Sequence, residues 1–361
     1  MKTEYVKLSE ESIDPEVIGR AGRILQEGGL VAFPTETVYG LGGDALNPES
    51  SRKIYAAKGR PSDNPLIVHI CRMKDLRPLA AEIPDAALRL AAAFWPGPLT
   101  MIFKKTDLVP METTGGLSTV AVRFPSNKIA AALIDQAGGF VAAPSANRSG
   151  RPSTTTADHC REDLDGRVDM IIDGGPVDIG LESTIIDLTE EQPVILRPGR
   201  ITRAMLEEVL GRVEVDRTIL SGDSSIAPKA PGMKYRHYAP QGSLTIVEGE
   251  REGVIEYINR RCDECRRLGI RTGVLCTDET RDAYRADAVK SAGSRKDEDA
   301  VGRVLFRLLR EFDTEEITIM FSESFEDAAA GQAIMNRLMK AAGHQIVHLP
   351  KASSPESDVY K

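Results

Sequence analysis

From Ser243 onward, short apolar runs alternate with segments long enough for helices. LTIVEG leads into a helical pattern ending at Leu268, TGVLC into further helical sequence, ITIMF into a helical pattern ending at Ala342, and QIVHL follows. This alternation constrains the fold more than any other feature of the chain. Parallel strands cannot be joined by a tight turn and need a crossover of a dozen or more residues, so the repeated pattern implies a parallel sheet with helices on both faces. A Rossmann-like α/β domain is expected over residues 242–361.

Upstream, helices and strands are mixed less regularly. Residues 14–29 read as a helix that Asp14 caps, Pro15 opens and Gly28 ends. Further helices are expected over 47–57, over 83–95 with Pro96-Gly97-Pro98 as the stop, from a cap at Ser126 to Ala137, and over 202–210. Strands are expected at 30–33, 99–103, 119–124, 140–143, 168–173, 184–188 and 194–197. Residues 213–241, rich in Ser, Gly, Pro and Lys, show no periodicity and read as a linker. A chain of 361 residues exceeds the size at which one core keeps growing. The expected organisation is therefore a catalytic α/β domain over 1–212, a linker and active-site lid over 213–241, and the second domain.

Composition narrows the function. A formal net charge of -8 argues against general polyanion binding, because such affinity comes from neutralising phosphates with Lys and Arg. Any RNA contact is expected to be local and weak. The opening MKTEYVKLSEES has no apolar stretch behind a basic end, so no secretory signal is read there. The longest weakly polar run, 86–95, contains Arg89 and falls short of the ~20 residues that span a bilayer. Five cysteines suit reduced thiols better than a disulfide framework, and the lone CxxC of Cys262 and Cys265 reads as structural. The expected location is the cytoplasm, without a membrane partner.

Three pairs of polar residues recur at a spacing of two, each beside a proline: Thr35 and Thr37, Lys58 and Arg60, Ser145 and Asn147. In extended chain such residues point the same way, so each pair can reach one ligand from one side, although ordinary turn chemistry has the same composition. Lys58, Arg60, Arg123 and Arg197 each end an expected element, where loops gather into a cleft, and guanidinium groups grip phosphate or carboxylate with two donors. Together they point to a phosphate-bearing small molecule. No GxxxxGKS or GxxxxGKT occurs, which excludes a Walker A cradle. Gly40, Gly42 and Ala45 match GxGxxA, but the next helix opens only near Asn47 and no ribose-binding acid follows, so the match reads as accidental. His69, in the apolar run LIVHI, reads from the residues alone as a core histidine. The other histidines lack metal-ligand spacing, and no metal site is expected.

In chain order stand PTETVYGLG, KGRPSDNPLIVHI, FWPGPLT, AVRFP, APSANRSG, ESTIID and LRPG, followed by PGMKYRHYAP at 231–240 and AIMNRLMKAA near the end. These motifs resemble the YrdC-like threonylcarbamoyl-AMP synthases, in the branch that carries a smaller C-terminal domain. The resemblance implies an open, twisted mixed sheet whose concave, positive face holds ATP and L-threonine. It implies that Thr37, His69, Arg123, Ala143 and Ser183 contact threonine. It also implies that Lys58, Arg60, Asn64, Thr119, Ser145, Asn147, Ser153, Arg197 and Tyr235 contact ATP, with Lys58 and Arg60 acting in catalysis. Asn127 and Thr154 depart from the family's usual residues, which bears on the shape of the nucleotide loop.

The implied activity joins L-threonine, bicarbonate and ATP into threonylcarbamoyl-adenylate and pyrophosphate, and hands the product to a tRNA threonylcarbamoyl transferase. Magnesium is expected to travel on the ATP phosphates, with no organic cofactor. Two other readings remain open at this point: an RNA-binding protein without catalysis, and a carbamoyl-transfer module like those of hydrogenase maturation factors.

Overall fold

Leu30–Ala32 and Val31–Phe33 alternate between two faces, as a strand buried on both sides requires. In the computed structural model, which describes residues 2–216, 237–325 and 331–350, Leu30 and Ala32 join one core while Val31 and Phe33 join another. The strand Val31–Phe33 lies within a mixed sheet of eleven strands among the described residues. In spatial order these are Glu4–Lys7, Met170–Asp173, Val31–Phe33, Gly40–Asp44, Val141–Ala142, Ile67–His69, Thr119–Arg123, Leu99–Lys104, Thr184–Asp187, Val194–Arg197 and Glu214–Val215.

Helices Pro15–Gln26 and Lys128–Gln136 pack on one face, burying Ile18, Leu25, Leu133 and Ile134. The opposite face is covered by Pro48–Lys58, Asp85–Phe94, Ala157–Leu164 and Arg203–Leu210. Towards the Arg197 end, the first face carries only a small cluster, Ile67, Ile102, Ala121, Ile185 and Leu196. This thinly covered region adjoins the pocket described below.

The second sheet runs Ala288–Ser291, Thr272–Cys276, Ile319–Glu323, Ser243–Glu248, Ile346–His348, and every pair is parallel. Two apolar clusters flank it, as the alternating sequence required. Cys262 and Cys265 are buried along the helix Arg251–Arg267.

Several local expectations are corrected. Asn127, not Ser126, caps the helix Lys128–Gln136, its Oδ1 accepting from the Ala130 N–H. The stretch read as a linker from 213 begins instead inside the first domain: Val213 is buried and Glu214–Val215 pairs with Val194–Ile195. At its far end His237 and Tyr238 are buried too. Residues 217–236, with the lid expectation and Tyr235, lie outside the described residues. Gly40–Asp44 is a strand, so its glycines belong to a sheet and not to a phosphate turn.

Candidate active site

The parallel strands Ile67–His69 and Thr119–Arg123 stop in register, with His69 opposite Arg123. An imidazole and a guanidinium are thus delivered to one rim. Around them a pocket collects Thr37, Ala143 and Ser183 as well. Lys58, Arg60, Ser145, Asn147 and Arg197 line the same pocket.

The cationic side is built on a helix end. Asn47 caps Pro48–Lys58 at one terminus, and Gly59, in a left-handed conformation at φ 62°, turns the chain sharply at the other. This turn, and not extended chain, sets Lys58 against Arg60. Lys58 was expected to line an open cleft, but only 2% of it is exposed. Its Nζ donates to the carbonyls of Ser145 and Asn147, pinning the loop that carries both residues. Burial, and then the neighbouring Arg60 charge, hold the Lys58 pKa well below the usual lysine value. Arg60 donates to the carbonyls of Asn64 and Pro65 at 3.3 and 3.0 Å. Ser145 Oγ donates to Asn147 Oδ1, and Thr35 and Thr37 share a hydroxyl contact at 2.9 Å. These two pairs face one way, as their spacing required.

On the other side, Arg123 Nη2 lies 2.8 Å from Glu36 Oε2 with both side chains buried. The approach is too poorly aligned for a hydrogen bond: Arg123 Nε and Nη2 and both Glu36 oxygens are buried without a hydrogen-bond partner. An incoming carboxylate would satisfy those donors. Burial, followed by the Arg123 charge, pushes the His69 pKa down to about 3, so its ring is neutral at physiological pH. His69 Nδ1 lies 3.1 Å from the Ile67 carbonyl, which assigns the proton to Nδ1 and leaves Nε2 as an acceptor. His69 is thus both a core histidine and a pocket wall.

Ser183 Oγ sits between Thr100 Oγ1 at 2.7 Å and Arg197 Nη2 at 3.1 Å, while Arg197 Nε donates to the Ser183 carbonyl at 3.0 Å. Burial lowers the Arg197 pKa to about 10, which leaves it cationic.

Three nucleotide candidates do not line the pocket. Ser153 lies one layer behind, its hydroxyl spent on Glu182 Oε1. Asn64 is buried beside Arg60, with its Oδ1 unpartnered. Thr119 begins the strand that Arg123 ends, roughly 13 Å away at the usual strand rise. As for the departures from the family pattern, Asn127 is the helix cap and Thr154 is wholly buried, its carbonyl accepting the Tyr39 N–H at 2.9 Å.

Sequence reasoning missed Glu36, Tyr39, Glu182, His237 and Tyr238. Tyr39, Glu182, His237 and Tyr238 line the pocket, and Glu36 stands directly behind Arg123. The signal available was the carboxylate of Glu36 inside PTET and that of Glu182 opening ESTIID. Val38, Leu181 and Tyr238 belong to an apolar cluster of the second domain, with the Tyr238 ring 5.1 Å from that of Phe306. The pocket wall is therefore anchored in that domain. Among the described residues, no group of three His, Cys, Asp or Glu is arranged to hold a metal ion, and no helix is long and apolar enough to cross a membrane.

A family model named for Sua5, YciO and YrdC and described as telomere recombination matches residues 23–199. A second, described as the threonylcarbamoyl-AMP synthase C-terminal domain, matches residues 201–343. The chain is 47% identical over 352 residues to a threonylcarbamoyl-AMP synthase of Bacillus subtilis, covering 96% of this chain and 100% of that protein. It is 36% identical over 346 residues to one of Schizosaccharomyces pombe, covering 86% and 84%. A crystal structure of Pyrococcus abyssi Sua5 complexed with L-threonine superposes with a TM-score of 0.91 at 44% identity, covering 97% of this chain and all of that one.

Proposed function

The chain belongs to the Sua5–YciO–YrdC family in its two-domain form and acts as a threonylcarbamoyl-AMP-forming transferase of tRNA modification, and we propose from that premise how its pocket performs the reaction. The observation that carries the reading is a single pocket lined by Arg123, His69 and Ser183 together with Lys58, Arg60 and Arg197. Threonine is assigned to the first group, in keeping with the L-threonine bound by the Pyrococcus relative. Its carboxylate meets Arg123, whose Nε has no hydrogen-bond partner, and its hydroxyl donates to neutral His69 Nε2. Thr37 and the backbone at Ala143 close that end.

ATP takes the second group. Its phosphates meet Lys58, Arg60, Ser145, Asn147 and Arg197, while Asn64 and Thr119 receive the nucleoside end and Ser153 supports it from behind. Tyr235 is proposed to contact the nucleotide, a role motivated by its place two and three residues before the pocket-lining His237 and Tyr238 in the sequence. Magnesium arrives as part of the nucleotide. The carboxylates nearest the site, Glu36 and Glu182, face arginines, and the remaining charge is cationic, which suits a metal already held by phosphate.

The amine of threonine takes up bicarbonate with loss of water, or carbon dioxide with loss of a proton, to give a carbamate. A carbamate oxygen attacks the α-phosphorus of ATP, the bond to the β-phosphate oxygen breaks, and pyrophosphate leaves. Such displacement is accelerated mainly by alignment and by cations facing the growing negative charge. The product is a labile mixed anhydride, so a tRNA transferase must consume it promptly, in the cytoplasm and with only local RNA contact. The test is pyrophosphate release from ATP that requires both threonine and bicarbonate. Release driven instead by carbamoyl phosphate would indicate carbamoyl transfer, and no release with retained RNA affinity would indicate a binding protein.

A further inference from the structure

Arg337 lies on the second-domain helix Gly331–Ala341 with its side chain wholly buried, and the chemistry above does not use it. Its guanidinium reaches into the first domain. Nε donates to Glu182 Oε2 at 2.9 Å, Nη2 to the Glu182 carbonyl at 3.2 Å, and Nη1 to the Pro198 carbonyl. Glu182 precedes Ser183 and Pro198 follows Arg197. One planar fork therefore ties the segment carrying a threonine contact to the segment carrying a phosphate contact, a geometry that lysine's point charge does not reproduce.

The other oxygen of Glu182 accepts from Ser153. Burial raises the Glu182 carboxyl, but the charges of Arg337 and then Arg197, with the Ser153 hydrogen bond, outweigh it and hold the group below the ordinary range. Glu182 is thus a buried anion close to Arg197. Deprived of Arg337, a buried carboxylate needs another cation, and Arg197, whose charge already acts on Glu182, could turn towards it.

We propose that Arg337 is a positioning residue of the reaction, satisfying Glu182 so that Arg197 and Ser153 stay set for the nucleotide. The second domain is thereby a working part of the nucleotide site. This inference rests on the synthase reading above.

Steady-state kinetics of threonine- and bicarbonate-dependent pyrophosphate release by the full chain test it. R337M is expected to raise the KM for ATP about tenfold, the loss of one charge-assisted contact, while the KM for threonine changes by less than about threefold. Adding E182Q, which removes the stranded anion and keeps an acceptor for Ser153, is expected to return the ATP KM most of the way. A purely structural role would lower stability without confining the defect to the KM for ATP. A folded R337M with a wild-type ATP KM, or one whose defect E182Q leaves unrelieved, overturns the proposal. If R337M does not fold, R337Q carries the same test, because it also removes the charge while keeping a polar side chain, and a wild-type KM there overturns the proposal equally. A wild-type chain that releases no pyrophosphate overturns the synthase reading itself; an active wild type with an unaffected variant overturns only the role of Arg337.

Discussion

Lys58 and Arg60 stand two residues apart in a motif, yet their environments separate what their loss should do. Arg60 is partly exposed, and R60A is expected to lower turnover by roughly a hundredfold, the scale of removing one donor that stabilises transition-state charge, with little change in melting temperature. K58A is expected to lose activity comparably and to lose stability as well. Two buried carbonyls, of Ser145 and Asn147, would be left without their donor, at about 1–3 kcal/mol each. Kinetics and a thermal melt on each variant check this; equal melting temperatures would show that Lys58 does not hold the loop. His69 carries a second expectation. With its pKa near 3 the ring stays neutral from pH 5.5 to 8, so threonine affinity should show no inflection near 6.5 that H69Q abolishes. The pocket residues legible in the sequence were those in short polar clusters, such as Thr35 with Thr37 and Ser145 with Asn147. Glu36 and Glu182 were not, because their meaning comes from Arg123 and Arg337, which the fold brings from distant elements.

At the scale of elements, apolar periodicity and caps were readable where a segment makes its own case. Asp14 and Pro15 open their helix, with the Asp14 side chain accepting from the N–H groups of Glu16 and Val17. Gly40–Asp44 gave no such signal, since GLGGD has almost no side chains to alternate. Its glycines answer to the neighbours: a Cβ on Gly42 would lie 2.9 Å from the Phe33 ring, and one on Gly43 3.0 Å from Ile54 Cδ1. The helix Ala157–Leu164, ADHCREDL, was hidden by polarity, because Asp163 is buried through partners outside the helix: Arg310 at 2.8 Å, Arg151 and the Arg148 N–H. Gly180 shows the same dependence at the interface between domains. It holds φ at 80°, and a Cβ there would stand 2.5 Å from Arg303 Cα and 2.6 Å from the Arg303 carbonyl oxygen. G180A therefore forces the Ile179–Ser183 segment off the helix Glu298–Thr314, at roughly 2–4 kcal/mol for left-handed strain and overpacking together. A drop of several degrees in melting temperature, with a raised KM for threonine because Ser183 moves, is the expected result. A stable variant with unchanged kinetics would show that this contact is pliable.

For the whole molecule, length and alternating pattern announced two α/β units, but not that they share a core and a pocket. That union rests on single side chains, Val38 and Leu181 entering the second domain's core and Arg337 and Arg310 entering the first, which no local pattern marks. Its buried polar groups also fix how stability should depend on pH. Burial is the leading cause that lowers the pKa of His69 to about 3, of His159 to about 4, and of His237 well below the usual value. The unfolded chain binds protons at these rings near pH 6.5 and the folded chain does not, so stability falls as pH drops below that value. By pH 5 the loss is about 2 kcal/mol for each of His69 and His159, with His237 adding in the same direction. Glu182 and Asp163 act later. Burial raises both, but arginine partners outweigh it and leave their folded values depressed, so their contribution is complete above the ordinary carboxylate range and disappears only as pH falls below about 4. Urea midpoints measured from pH 8 to pH 3 should accordingly decline in two stages, the first from the histidines and the second from the interdomain carboxylates. D163N should melt lower than wild type at pH 7, with the gap narrowing as pH falls below about 4. A midpoint that stays level from pH 8 to pH 5 would mean that the three rings are not held neutral in the folded chain.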